Sequence, residues 1–206
     1  MDFPSGEHKQ SGLRYSPLKA LISPRPIGWI SSRSEAGIDN LAPYSFFNAV
    51  SEQPAMVMFV ASPDRRGRGT GQMKDSLQNI LDTKMFAVNI TSDAQIDQMV
   101  RSAREVDASE DEFALAELQK KEAKTINVPL VADAPAHLEC RYHQHITLPE
   151  NQAGHSCVMV IGNVIHVHID DRYISDGKVD VSAYQPVARL GYKDYSVVSE
   201  LFEKQP

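Results

Sequence analysis

Two segments of strict or near-strict strand character, 138–148 and 156–169, constrain the fold more than any other feature of this chain. In the first, Leu138, Cys140, Tyr142, Ile146 and Leu148 share one face, while Glu139, Arg141, His143, His145 and Thr147 share the other. That period of two belongs to a strand with one face on the core and one on solvent. The second is long and mostly β-branched or apolar, with Gly162 in its middle. A glycine inside a strand marks a bend or a close backbone approach, as at a barrel corner.

Further strands are expected over 26–32, 40–50, 55–61 and 85–90. In the first of these, Ile27, Trp29 and Ser31 share one face, and Gly28, Ile30 and Ser32 the other. Residues 40–50 read as a single aromatic-rich strand with Pro43 at an edge or bulge. The run Ala55 to Ala61 is apolar on both faces, as in a strand walled in by core on both sides. Helices are expected from about Asp75, after Ser92 (with Gln95 completing a capping box) and after Ser109 (with Glu112). Pro17, Pro24 and Pro26 forbid a long helix over 16–26. The tail, 195–202, reads as a short terminal helix. Strands come in runs with helices inserted between them, so the chain is expected to be mainly β, an antiparallel barrel rather than a regular βαβ alternation.

The length of 206 residues suits one domain, here 16–206, behind a polar and flexible segment 1–15. A net charge of −6 argues against a general nucleic-acid-binding face. The longest apolar run, Ala55 to Ala61, is far too short to cross a membrane, and 1–12 has no apolar core of the signal-peptide kind. The two cysteines, Cys140 and Cys157, read as buried thiols of a reducing, cytoplasmic protein; a disulfide between neighbouring strands is the alternative.

Three groups of residues could carry chemistry. In 62–76, Gly67, Gly69 and Gly71 free the backbone, Arg65, Arg66 and Arg68 add positive charge, and Lys74 precedes a helix start at which Ser76 and the helix dipole suit a phosphate. The plainer account is a solvated loop with an ordinary N-cap. In 40–48, aromatic side chains alternate with small and amide ones, which suits the wall of a planar heterocycle or, equally, a barrel core. The H-x-H pairs His143/His145 and His166/His168 place two imidazoles on one side of a strand, as metal ligation requires; the first pair shares its face with Glu139 and Arg141, which suggests solvent, and no metal site is assigned. No G-x-G-x-x-G, phosphate-binding P-loop or G-x-S-x-G motif occurs, and neither cysteine has a reactive context.

Taken in order, R-P-I-G-W-I-S-S (25–32), N-L-A-P-Y-S-F-F-N (40–48), K-D-S-L-Q-N-I (74–80), F-A-V-N-I (86–90), G-H-S-C-V-M-V-I-G-N-V (154–164) and R-L-G-Y-K-D-Y (189–195) resemble the flavin reductase-like family of FMN-binding split barrels. The branch with flavoredoxins and the reductase components of two-component monooxygenases is the most similar. The resemblance implies a six-stranded Greek-key split β-barrel, a homodimer, and FMN near the dimer interface. It places Trp29, Ser31 and Ser32 along the ribityl and ring side, and Ala42, Ser45, Phe46, Phe47 and Asn48 at the isoalloxazine. Lys74, Asp75 and Ser76 fall at the phosphate, His155 near the nicotinamide, and Arg189 by the flavin or the partner subunit. Ser76 stands where the family commonly has threonine. Tyr192 stands where it has a second glycine, so a bulky ring narrows the flavin entrance or the dimer seam.

The activity this implies is reduction of FMN by NADH or NADPH, with electrons passed to a monooxygenase partner or another acceptor and no side chain acting as chemical catalyst. The alternatives are an FMN-carrying electron shuttle of the flavoredoxin type, and a metal-dependent barrel enzyme using the H-x-H pairs.

Overall fold

The structure is a computed structural model and describes residues 1–63 and 73–205. In chain order the elements are α1 (Leu18–Leu21), β1 (Arg25–Pro26), β2 (Gly28–Arg33), β3 (Asp39–Tyr44), β4 (Phe47–Glu52), β5 (Ala55–Ala61), α2 (Asp75–Thr83), β6 (Met85–Ile90), α3 (Ile96–Arg101), α4 (Glu112–Leu115), β7 (Lys120–Glu122), β8 (Pro129–Val131), β9 (Ala136–Thr147), β10 (Val158–Ile169), β11 (Ile174–Ser175), β12 (Lys178–Val179), α5 (Val181–Tyr184), β13 (Val187–Arg189) and β14 (Tyr195–Val197).

Seven strands form one antiparallel sheet in the order β3-β2-β6-β9-β10-β5-β4. Its two edges, β3 and β4, are consecutive in sequence and joined only by Ser45 and Phe46. A two-residue link cannot span an open seven-stranded sheet, so the sheet curls until its edges meet: a split barrel. The Val60 amide donates to the Phe46 carbonyl at 2.9 Å, which carries the β4–β5 ladder into that link. The single strand expected over 40–50 is therefore two, which raises the strand number from six to seven.

The barrel interior holds Ile30, Tyr44, Val57, Phe59, Phe86, Val88, Cys140 and Val160, closed at one end by Leu77 and Ile80 of α2. Gly162 is where backbone and ring approach most closely: a Cβ there would lie 2.4 Å from Phe86 Cζ. The β9–β10 ladder shifts register beside it, so the sheet bends at the glycine. A second core on the outer face joins Trp29 and Leu41 to Met99, Phe113, Val131 and Val187.

Several expectations need correction. Ala55–Ala61 buries only alternate residues: Val57, Phe59 and Ala61 point inward, and Met56, Met58 and Val60 stay half-exposed. Glu139 does not face solvent; it has 0% exposure because the 123–131 segment lies over that face of the barrel. The N-cap of α4 is Asp111, whose side chain accepts from the Phe113 amide, and Glu112 turns inward. Ser92 makes no cap bond to the turn that follows it. The tail forms strand β14 on β13 instead of a helix. Both cysteines are free thiols, and burial raises the Cys140 thiol pKa.

Candidate functional site

The start of α2 and the middle of β3 meet in a cleft. α2 is amphipathic, with Leu77 and Ile80 buried against the barrel, and this packing fixes where its N-terminus points. Lys74 occupies the N-cap with an extended backbone, and its side chain makes no cap bond to the first turn. Opposite lie Asn40, Ala42 and Tyr44 of β3, while 102–106 and Glu112 close the side. The Lys74 ammonium sits 5.7 Å from the Tyr44 ring centre.

A buried hydrogen-bond chain holds these groups. Ser76 Oγ donates to Asn40 Oδ1 at 2.5 Å, and Asn40 Nδ2 donates to Glu112 Oε1 at 2.8 Å. The Leu41 amide donates to Glu112 Oε2 at 3.1 Å, and Asn79 Nδ2 to Ser32 Oγ at 3.2 Å. Glu112 is 5% exposed, and burial lifts its pKa to about 7 against the pull of its own, the Leu41 and the Asn40 N–H donors; the charge of Asp75 adds to the rise. Sequence reasoning missed this residue. Its spacing from Ser109 satisfies a capping box equally well, and only the tertiary contact to β3 tells the two roles apart.

The cleft encloses about 90 Å³. That is room for a phosphate-sized group, well short of the roughly 300–1,000 Å³ that encloses a whole ligand. A second groove of about 250 Å³ lies on the other side of the α2 start, lined by Ser62, Met73, Leu77, Thr147, Glu150 and His155 among others.

The structure brings together Ala42, Lys74, Asp75 and Ser76 in the first cleft, with Ser32 behind them in the hydrogen-bond chain. His155 lies in the second groove. Phe46 is 41% exposed at the barrel seam, with Lys19 and Arg25 cations 5.7 and 5.9 Å from its ring centre. Ser45 is half-buried beside it, Phe47 packs against the interior, and Asn48 is exposed and bonds the Ala49 amide. Trp29 and Ser31 line neither recess: both are inaccessible on the outer face, with Trp29 Nε1 donating to Ser102 Oγ at 2.8 Å and Asn89 Nδ2 to Ser31 Oγ at 3.2 Å.

Arg189 stacks on Tyr195 at 4.3 Å and donates to the Tyr192 carbonyl at 2.6 Å. Tyr192 has φ of 56°, the left-handed conformation in which a glycine is easiest, and its ring packs on Tyr15 at 5.6 Å. At Gly191 the restriction is different: a Cβ would lie 2.7 Å from that of Ala20. Arg65, Arg66, Arg68, Gly67, Gly69 and Gly71 lie outside the described residues.

The chain resembles known proteins over nearly its whole length. An uncharacterized protein of Aquifex aeolicus is 31% identical over 182 residues, 88% of either chain. Among solved structures, nitrilotriacetate monooxygenase component B from Bacillus cereus is 26% identical and superposes with a TM-score of 0.89 over 99% of this chain and 98% of that one. The flavoredoxin of Desulfovibrio vulgaris shares the fold at 19% identity, with a TM-score of 0.74 over 93% and 97%. The model of the flavin reductase like domain matches residues 21–186, and the chain belongs to that family.

Proposed function

We propose that this protein binds FMN and catalyses its reduction by a nicotinamide dinucleotide, with the electrons passed on to an acceptor such as a partner oxygenase. The observation that carries the reading is the Lys74–Ser76–Asn40 cleft at an N-terminus of α2 that no N-cap side chain closes. An ammonium and helix N-terminal amides are donors that suit a phosphate monoester. The cleft's size suits the phosphate, with the ring system outside it along Ala42, Ser45 and Phe46 at the barrel seam.

When bound, FMN supplies the hydride acceptor and the electron store. The chain's own residues bind and orient. Lys74 neutralises the phosphate, Ser76 is held in place by Asn40, and Glu112 fixes Asn40 and the backbone of β3. His155 borders the adjoining groove, where the nicotinamide approaches. The resemblance to a monooxygenase component supports a partner oxygenase as the acceptor.

A homodimer completes the site in this reading. Met56, Met58 and Val60 of β5, Met159 and Ile161 of β10, and Ile146 of β9 form a continuous outward apolar face on one side of the barrel. Such a patch on a water-soluble chain is the mark of an interface.

The test is steady-state oxidation of NADH and NADPH with FMN as acceptor. Turnover that falls in parallel with FMN binding in Lys74→Ala supports the reductase. A protein that holds FMN yet turns over neither nicotinamide is an electron carrier.

A further inference from the structure

On the outer face of the barrel, a second polar cluster lies apart from the cleft. Glu139 of β9 is solvent-inaccessible and accepts four hydrogen bonds. His168 Nε2 and the Lys124 amide reach Oε1 at 2.6 and 2.7 Å; the Thr125 amide and hydroxyl reach Oε2 at 2.7 and 2.5 Å. In the β9–β10 ladder His166 stands opposite Glu139, just after a register shift that follows Val164. The rings of His166 and His168 meet edge-to-face with centres 4.6 Å apart, and His137 stands edge-on to His168 at 6.0 Å. One ligand atom from each of Glu139, His166 and His168 lies within 4.8 Å of the other two.

We propose that Glu139, His166 and His168 bind one divalent transition-metal ion of the zinc class, at a site separate from the flavin cleft. Two imidazoles and a carboxylate are a borderline-soft donor set that such ions prefer, and three protein ligands leave a fourth position for water. Bonds of about 2.0–2.1 Å around a tetrahedral ion need ligand atoms about 3.3 Å apart. The two half-exposed imidazoles close that difference by side-chain rotation, while Glu139 stays held by the Lys124 and Thr125 donors, which already form the outer shell that orients a ligating carboxylate. The metal takes the place of the proton between His168 Nε2 and Glu139, and a neutral His168 then carries its proton on Nδ1.

The other H-x-H pair lacks these features. His143 and His145 are exposed, His145 Nδ1 bonds the Tyr142 hydroxyl at 2.7 Å, and among the described residues no carboxylate joins them in a comparable group. Along β10, His166 is roughly 26 Å from Val158, which lines the His155 groove. The ion would tie β10 to the 123–131 segment through Glu139, as a clamp on the fold.

The test is a Zn²⁺ titration by calorimetry of untagged, chelator-treated protein, with FMN affinity measured in parallel as a control for folding. One equivalent per chain is expected, with affinity lowered roughly tenfold or more in His166→Ala and in the milder His166→Gln, and unchanged in the His143→Ala/His145→Ala double variant. Both His166 variants are expected to keep wild-type FMN affinity. Absence of saturable Zn²⁺ binding by the wild type overturns the proposal, as does equal affinity in the His166 variants or loss of binding only in the His143/His145 variant.

Discussion

Glu112 grips Asn40 from across the cleft: its Oε1 accepts from Asn40 Nδ2 at 2.8 Å while its Oε2 accepts from the next residue's amide at 3.1 Å. One buried carboxylate thus sets both a side chain and the backbone of β3 at the place where Ser76 must be positioned.

This carboxylate gives the protein a pH-dependent stability. Its folded pKa is raised from 4.5 to about 7, chiefly by burial, so the folded state favours the protonated form. The contribution is whole below about pH 4.5 and is lost as pH rises towards and through about 7, by up to roughly 3 kcal/mol. Chemical denaturation at pH 5.5 and pH 8 is expected to show a fall in stability in the wild type that is smaller in Glu112→Gln. An equal fall in the two proteins would place the titrating group elsewhere.

Trp29 is expected to matter for stability and not for the cofactor. Its ring is buried in the outer core and lines neither recess, and its Nε1–H bond reaches Ser102 from behind the wall of the first cleft. Trp29→Phe is expected to cost about 1–3 kcal/mol, from the lost hydrogen bond and the smaller ring, while FMN affinity stays at the wild-type value. Denaturant unfolding and an FMN titration on the same variant separate the two effects.

The outward apolar face of β5 and β10 is expected to hold two chains together. Met58 and Ile161 are cross-strand partners at its centre. Met58→Asp, which places a charge where the face must lose water, is expected to shift the protein from dimer to monomer in sedimentation velocity. On the reading in which a homodimer completes the site, it is also expected to weaken FMN binding. A variant that stays dimeric would locate the interface elsewhere.

Much of this architecture is legible in the sequence because it rests on local patterns. The inward alternation of Leu138, Cys140 and Tyr142 and the bend at Gly162 follow from steric rules that act over a few residues. The register shift at that bend breaks the period of two expected through 148 and turns Ile146 outward, and α2 starts at Asp75 without a side-chain cap. What escapes is set by distant chain. The run through Tyr44–Phe47 reads as one strand because aromatics continue through it; only barrel closure breaks it at Ser45 and Phe46. Glu139 alternates like a solvent-facing residue, and its burial depends on Lys124 and Thr125 folding over it. The paired roles open to Glu112, cap or positioning group, differ only in what packs against them. At the site, Ala42, Lys74, Asp75 and Ser76 converge in one cleft with Ser32 behind them, while the strand alternation that puts Ser32 there turns Trp29 and Ser31 to the opposite face.

The most direct test of the central claim is a fluorescence titration of FMN into the wild type and into Lys74→Ala. The account expects saturable FMN binding in the wild type, weakened by about 1–3 kcal/mol, or roughly 5- to 150-fold, when the ammonium is removed. Absence of binding by the wild type, or equal affinity in the two proteins, would contradict the placement of the phosphate at Lys74 and Ser76.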